Sequence, residues 1–215
     1  MNKENQPEGN YYNKYSNKNF LVKHIMSEFF RSIKKLLSLI DYSNVFDAGC
    51  GEGYVTNFIY NLKSGIEVEG MDISKKVIDE ARCKFKQIDF HQGSILSIDR
   101  ESDKYDLVVA CEVLEHIESP EVALKEIFRI SKRYVFISVP NEPVWRISNL
   151  LRGKYIKSFG NTPGHIQHWS KNEITNLVKA YGNIIKITNP FPWTMLLCEK
   201  KPDGRYKYDS KKIWS

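Results

Sequence analysis

Cysteine is scarce in this chain, and its four copies, Cys50, Cys83, Cys111 and Cys198, show neither CxxC spacing nor a dense framework. That argues against a disulfide-stapled module and makes a reducing cytoplasm the expected home. No stretch reaches the ~18 consecutive apolar residues of a membrane span. The opening MNKENQPEGN is polar and lacks an apolar signal core, so neither membrane insertion nor secretion is expected. Internal repeats are absent, and low complexity is confined to the Lys/Asn-rich amino terminus. Acidic charge is in deficit, with 26 Asp and Glu against 32 Lys and Arg and a net charge of +6. The basic excess gathers in the first 35 positions and in the tail KKPDGRYKYDSKK. It permits an acidic partner such as RNA without requiring one.

What the chain does have is 215 residues at 41% hydrophobic content, enough for one well-buried core. From Asn19 to Ile40, apolar residues from Val22 through Phe29, Ile33 and Leu37 recur at helical spacing, so this segment is an amphipathic helix that docks on something. Ahead of it, Tyr11, Tyr12 and Tyr15 mark a segment able to cover a ligand. After Asp41 the pattern changes to short β-branched runs alternating with helical stretches, the signature of a parallel sheet covered on both faces. Strands are expected over 44–48, 66–70, 88–91, 106–110, 134–139, 184–188 and 194–199. Ser74, Ser119 before Pro120, and the Ser170/Glu173 pair are expected helix starts, with Gly182 closing the last helix. The turn NPFPW is too short for a crossover helix, so the last two strands should pair antiparallel. Residues 140–170 fit neither period. They form an insertion rich in Trp, His and Arg at the end of the sheet where open α/β folds bind ligands.

The run VFDAGCGEG ends a strand at Ala48 and then places Gly49, Gly51 and Gly53 before a helix. Such a turn brings backbone N–H groups and a helix amino end against a ligand. Asp47 stands just ahead of the first glycine. A carboxylate there would repel a diphosphate and attract a sulfonium or ammonium group. Asp72, in MDIS at the end of the second strand, is placed to accept the hydroxyls of an unphosphorylated ribose.

With FHQGSIL, YDLVVACEVLEHI and the closing two-strand pattern, these motifs resemble the class I S-adenosylmethionine-dependent methyltransferases over residues 45–199. The resemblance implies an α/β, Rossmann-like, seven-stranded mostly parallel sheet with an antiparallel last hairpin, helices on both faces and an N-terminal helical lid. The implied organisation is a lid segment and helix over 1–42, the methyltransferase domain over 43–200 and a basic tail over 201–215. It implies S-adenosylmethionine as cofactor, bound by Asp47, Gly49, Cys50, Gly51, Gly53, Asp72, Ile73, Ser94, Ile95, Cys111 and Glu112. S-adenosylhomocysteine would be the product. The reaction implied is methyl transfer to an O or N nucleophile of a small-molecule acceptor, by a monomer or homodimer without membrane attachment.

If a helical turn follows Ala110, then Glu112, Glu115 and His116 share one face. His116 is then the expected base or acceptor-positioning group, and His165 in GHIQHW the expected second catalytic residue, with His168, Trp145, Arg146, Arg152 and Trp169 beside it. Two carboxylates and an imidazole also suit a divalent metal, with His165 or His168 as a further ligand. The ExxEH run and a later His are similar to those of small-RNA 3′-terminal 2′-O-methyltransferases, which implies Glu112, Glu115, His116 and His165 as candidate metal ligands. A metal-dependent RNA methyltransferase and a non-catalytic S-adenosylmethionine-binding protein are therefore the alternatives to the small-molecule enzyme. The metal-free reading is the one expected.

Overall fold

The computed structural model describes residues 20–151, 161, 162 and 164–201. Tyr11, Tyr12, Tyr15, Arg152 and the tail beyond Lys201 lie outside the described residues.

Seven strands form one sheet: β1 (Asn44–Ala48), β2 (Glu67–Asp72), β3 (Asp89–Gln92), β4 (Tyr105–Cys111), β5 (Ser131–Pro140), β6 (Gly182–Thr188) and β7 (Trp193–Lys200). Their order is β3-β2-β1-β4-β5-β7-β6. The first five pair parallel, and β7 is antiparallel to both β5 and β6. After β1 the chain moves to one side for β2 and β3 and then crosses to the other for β4. The carboxyl ends of β1 and β4 therefore flank the switch point, where such sheets open a ligand crevice.

The helices are α1 (Phe20–Leu37), α2 (Tyr54–Tyr60), α3 (Lys75–Lys84), α4 (Pro120–Ile130), α5 (Val144–Leu151) and α6 (Lys171–Lys179). One face of the sheet buries Leu124, Ile127 and Phe128 of α4 with Ile174, Leu177 and Val178 of α6. The other buries Phe29, Ile33, Leu36 and Leu37 of α1 with Val55 and Ile59 of α2. Each such side chain contributes about 1.5–3 kcal/mol through the area it removes from water. The amphipathic stripe of α1 is thus a layer of the core: Phe29 is fully buried and meets Trp193 of β7 edge-on at 4.6 Å between ring centroids.

Two of the expected helix starts hold in position without the capping bond, and one expected helix end is corrected. Ser74 and Ser119 precede α3 and α4, but neither side chain makes a capping hydrogen bond. Ahead of α3, Asp72 Oδ1 accepts from the N–H of Ser74 itself at 2.9 Å. Gly182 does not close α6, whose C-cap is Ala180, but opens β6, and a Cβ there would lie 2.8 Å from the carbonyl oxygen of Glu199. The capping box of α6 forms as expected, with Ser170 N–H donating to Glu173 Oε2 at 2.8 Å and Glu173 N–H to Ser170 Oγ.

Candidate active site

The glycine loop leaves the end of β1 and is pinned to the neighbouring strand, where Gly49 N–H and Cys50 N–H both donate to the carbonyl of Met71, at 2.7 and 2.9 Å. Gly49 and Gly51 adopt φ +85° and +52°, a region that costs an L-residue about 1–2 kcal/mol. The two differ in what surrounds them. A Cβ on Gly49 would strike Val113 Cγ2 at 2.4 Å, whereas a Cβ on Gly51 would meet nothing within 4 Å. The first glycine permits close packing and the second faces open space, which is the bare backbone a ligand needs.

Asp72 bounds that space. Its Oδ2 accepts from Gly51 N–H at 3.0 Å and its Oδ1 from Ser74 N–H. Burial pushes this carboxyl upward while the two amide bonds hold it down. Each oxygen retains a second lone pair, so the carboxylate is oriented and still able to accept two hydroxyls. Ile73 follows it with 42% of its surface exposed, an apolar surface suited to a purine face. Ser94 uses its hydroxyl to accept from Leu96 N–H at 3.2 Å, and Ile95 is buried against the core cluster. Cys50 and Cys111 are also buried, and burial pushes the Cys50 thiol well up.

Asp47 is not at the mouth of the site as the sequence led us to expect. It is 1% exposed, beneath the loop, with Oδ2 accepting from Thr56 Oγ1 at 2.7 Å. Thr56, on the inner side of α2, carries no recognisable sequence signal. Burial pushes the Asp47 carboxyl up to about 7. Its Oδ1 is buried and lacks a hydrogen-bond partner among the described residues. A ligand donor such as an ammonium group fits that orphaned acceptor. Together with the open space at Gly51 and the oriented Asp72, it makes this crevice fit the amino-acid and ribose portions of S-adenosylmethionine.

Beyond β4 the expected helical face does not form. Glu112 takes φ +59°, and only then does a 3₁₀ turn, Leu114–His116, begin. The positive φ rotates Glu112 away from Glu115 and His116. Its Oε1 accepts from Ser138 Oγ at 3.0 Å and its Oε2 from Trp193 Nε1 at 2.6 Å. Glu112 therefore leaves the candidate metal set. The other three converge: one ligand atom each from Glu115, His116 and His165 lies within 4.8 Å of the others.

His116 Nδ1 sits 2.8 Å from the carbonyl oxygen of Gly164. Because a carbonyl only accepts, Nδ1 carries the hydrogen and Nε2 the lone pair of the neutral ring. The backbone of the insertion is held to the same turn, since Ile166 and Gln167 N–H both donate to the carbonyl of Glu115. His165 meets His116 edge-on at 5.0 Å and stacks on Trp145 at 5.9 Å. Trp145 Nε1 in turn donates to Thr162 Oγ1 at 2.9 Å. His168 points elsewhere, its Nε2 pairing with Asn161 Oδ1 at 2.8 Å, and burial lowers its pKa.

The methyltransferase-domain family profile matches residues 22–183. A probable S-adenosylmethionine-dependent methyltransferase of Mycolicibacterium smegmatis is 27% identical over 141 residues, covering 65% of this chain and 51% of the relative. A ubiquinone biosynthesis O-methyltransferase of Coxiella burnetii is 28% identical over 158 residues, covering 65% and 66%. The chain thus spans about half to two thirds of the length of these curated relatives. Among solved structures, magnesium protoporphyrin IX methyltransferase from Synechocystis PCC 6803 with bound S-adenosylhomocysteine superposes with a TM-score of 0.65 at 19% identity, covering 86% of this chain and 89% of that one. Among the described residues, no helix is long and apolar enough to cross a membrane. The switch-point crevice, the open glycine at Gly51, the oriented Asp72 and the profile match over most of the chain agree, and the chain belongs to the class I S-adenosylmethionine-dependent methyltransferase family.

Proposed function

We propose that this chain moves a methyl group from S-adenosylmethionine to an oxygen, or alternatively a nitrogen, of a small-molecule acceptor, with His116 as the group that takes the acceptor's proton. The observation that carries the reading is the 2.8 Å contact between His116 Nδ1 and the Gly164 carbonyl. An acceptor there requires the hydrogen on Nδ1, which makes Nε2 the basic nitrogen of the neutral ring, in the turn that follows β4. S-adenosylmethionine, when bound, supplies the activated methyl group and leaves as a neutral thioether.

The chain's own residues then have mainly to orient and to receive a proton. Asp72 holds the ribose hydroxyls, and Ile73 offers its exposed side chain to the adenine. Asp47 supplies a buried acceptor beneath the loop. His165 and Trp145 form a wall beside His116 on the acceptor side. An oxygen nucleophile is favoured by the likeness to a relative named as an O-methyltransferase. The test is transfer of labelled methyl groups to a panel of phenols, sugars and amines by wild type and His116→Ala. Label in an acceptor with wild type but not the variant supports the reading, and labelling equal in both contradicts it. Failure of wild type to label anything favours a binding protein without turnover.

A second reading rests on the convergence of Glu115, His116 and His165. Two imidazoles and a carboxylate are a donor set that suits a divalent transition metal. Such an ion would act as a Lewis acid toward an acceptor hydroxyl, such as those of a 3′-terminal ribose in RNA. Activity lost on chelation and restored by manganese or magnesium, with a 3′-hydroxyl RNA as acceptor, would select this reading over the first.

A further inference from the structure

Glu112 is the first residue after β4, and its left-handed backbone is unusual for a side chain of its size. Such a conformation persists only where the surroundings over-determine it, and here three hydrogen bonds do so. The N–H of Glu112 donates to the Ser138 carbonyl at 2.9 Å. Its two carboxylate oxygens accept from Ser138 Oγ at 3.0 Å and from Trp193 Nε1 at 2.6 Å. The clamp thus spans β4, β5 and the start of β7.

The consequence falls on the next residue. Val113 lies against Gly49 so closely that a Cβ there would come within 2.4 Å of it. The turn at Glu112 is what lays Val113 across the first glycine of the loop. At the other end of the clamp, Trp193 is 2% exposed, meets Phe29 of α1 at 4.6 Å and stands 6.2 Å from Trp145 of α5. One carboxylate therefore joins the floor of the glycine loop to the core helix and to the insertion that carries His165.

We propose that Glu112 is a positioning residue for the cofactor loop: its carboxylate, held by Trp193 and Ser138, fixes the 111–113 turn under Gly49 and so sets the affinity for the cofactor without touching it. The inference rests on the cofactor reading above for its probe, S-adenosylhomocysteine. A glycine or asparagine would satisfy the backbone more cheaply, but neither reaches both donors. The clamp is the reason for a glutamate at this place.

The test is calorimetric titration of S-adenosylhomocysteine into the full chain as wild type, Glu112→Gln, Glu112→Gly, Trp193→Phe and Ser138→Ala, with the melting temperature of each. Glu112→Gly permits the positive φ but removes the carboxylate that enforces it, and Trp193→Phe removes the indole donor together with part of a buried ring, so the melting temperature of each is read beside its affinity. The expected result is affinity at least tenfold weaker in both, measured well below their melting temperatures, with Glu112→Gln and Ser138→Ala intermediate. A purely structural clamp would lower melting temperatures and leave affinity unchanged, and that outcome overturns the proposal. If Glu112→Gly does not fold, Trp193→Phe and Ser138→Ala decide the matter on the same criterion. Absence of binding by wild type overturns the cofactor reading and this proposal with it, whereas wild-type binding with unchanged variants overturns this proposal alone.

Discussion

Asp72 accepts a hydrogen bond from the N–H of Gly51 at 3.0 Å, so the carboxylate at the end of β2 and the middle glycine after β1 form one rigid rim of the crevice. Replacing Asp72 by alanine removes this tie and, with it, the acceptor proposed for the ribose hydroxyls. A charge-assisted hydrogen bond is worth about 1.5–3 kcal/mol, which is roughly ten- to a hundredfold in affinity. Titration of S-adenosylhomocysteine into Asp72→Ala should show a loss of that size, and an unchanged affinity would remove Asp72 from the site.

The two glycines that begin the loop should respond differently to alanine. At Gly51 the new methyl group enters open space, so the fold loses only the backbone cost of about 1–2 kcal/mol. The ligand loses its room. At Gly49 the methyl group meets Val113 as well, so stability should fall further. Denaturant melts paired with cofactor titration check both: Gly51→Ala remains folded and binds poorly, and Gly49→Ala is the less stable of the two.

Asp47 should make the protein lose stability as the pH rises toward neutrality. Its carboxyl is pushed from the ordinary 3.8 up to about 7 in the folded chain. Between those values the folded state keeps a proton that the unfolded state has released, so stability is fullest at the acid end and declines through that window. The slope is at most about 1.4 kcal/mol per pH unit. Asp47→Asn cannot ionise and keeps an oxygen for Thr56. Its urea melts at pH 5 and pH 7.5 should differ less than those of wild type, and equal pH dependence would contradict the assignment.

His116→Ala should slow turnover by about 10²–10⁴-fold, the usual contribution of a positioned base, with any acceptor that the wild type methylates. Its affinity for S-adenosylhomocysteine should stay within about twofold of wild type, because the imidazole is tied to Gly164 on the acceptor side and not to the glycine loop. A parallel loss of cofactor affinity would place His116 in the cofactor site instead.

The fold was legible in the sequence because each strand is a short β-branched run bounded by a turn signal, and all seven appear within a few residues of where the pattern puts them. The glycine loop and Asp72 were legible as motifs, closely spaced glycines after one strand and an acid at the end of the next, although their geometry is set across the sheet by the Met71 carbonyl and by the tie between Asp72 and Gly51. What failed were statements about which partner a particular side chain takes. Nothing near Asp47 announces that Thr56 will draw it under the loop. Helical spacing wrongly placed Glu112 beside Glu115 and His116, since Trp193, far along the chain, takes its carboxylate while a positive φ breaks the turn. The convergence of Glu115 and His116 with His165 needed the insertion to fold back, which Gly164 and the two amides bonded to the Glu115 carbonyl accomplish.

Calorimetric titration of the purified chain with S-adenosylhomocysteine, alongside nicotinamide and flavin dinucleotides, tests the central claim most directly. The expected result is saturable one-to-one binding of S-adenosylhomocysteine and no heat from either dinucleotide. Silence toward S-adenosylhomocysteine at millimolar concentration, with saturation by a dinucleotide, would contradict it.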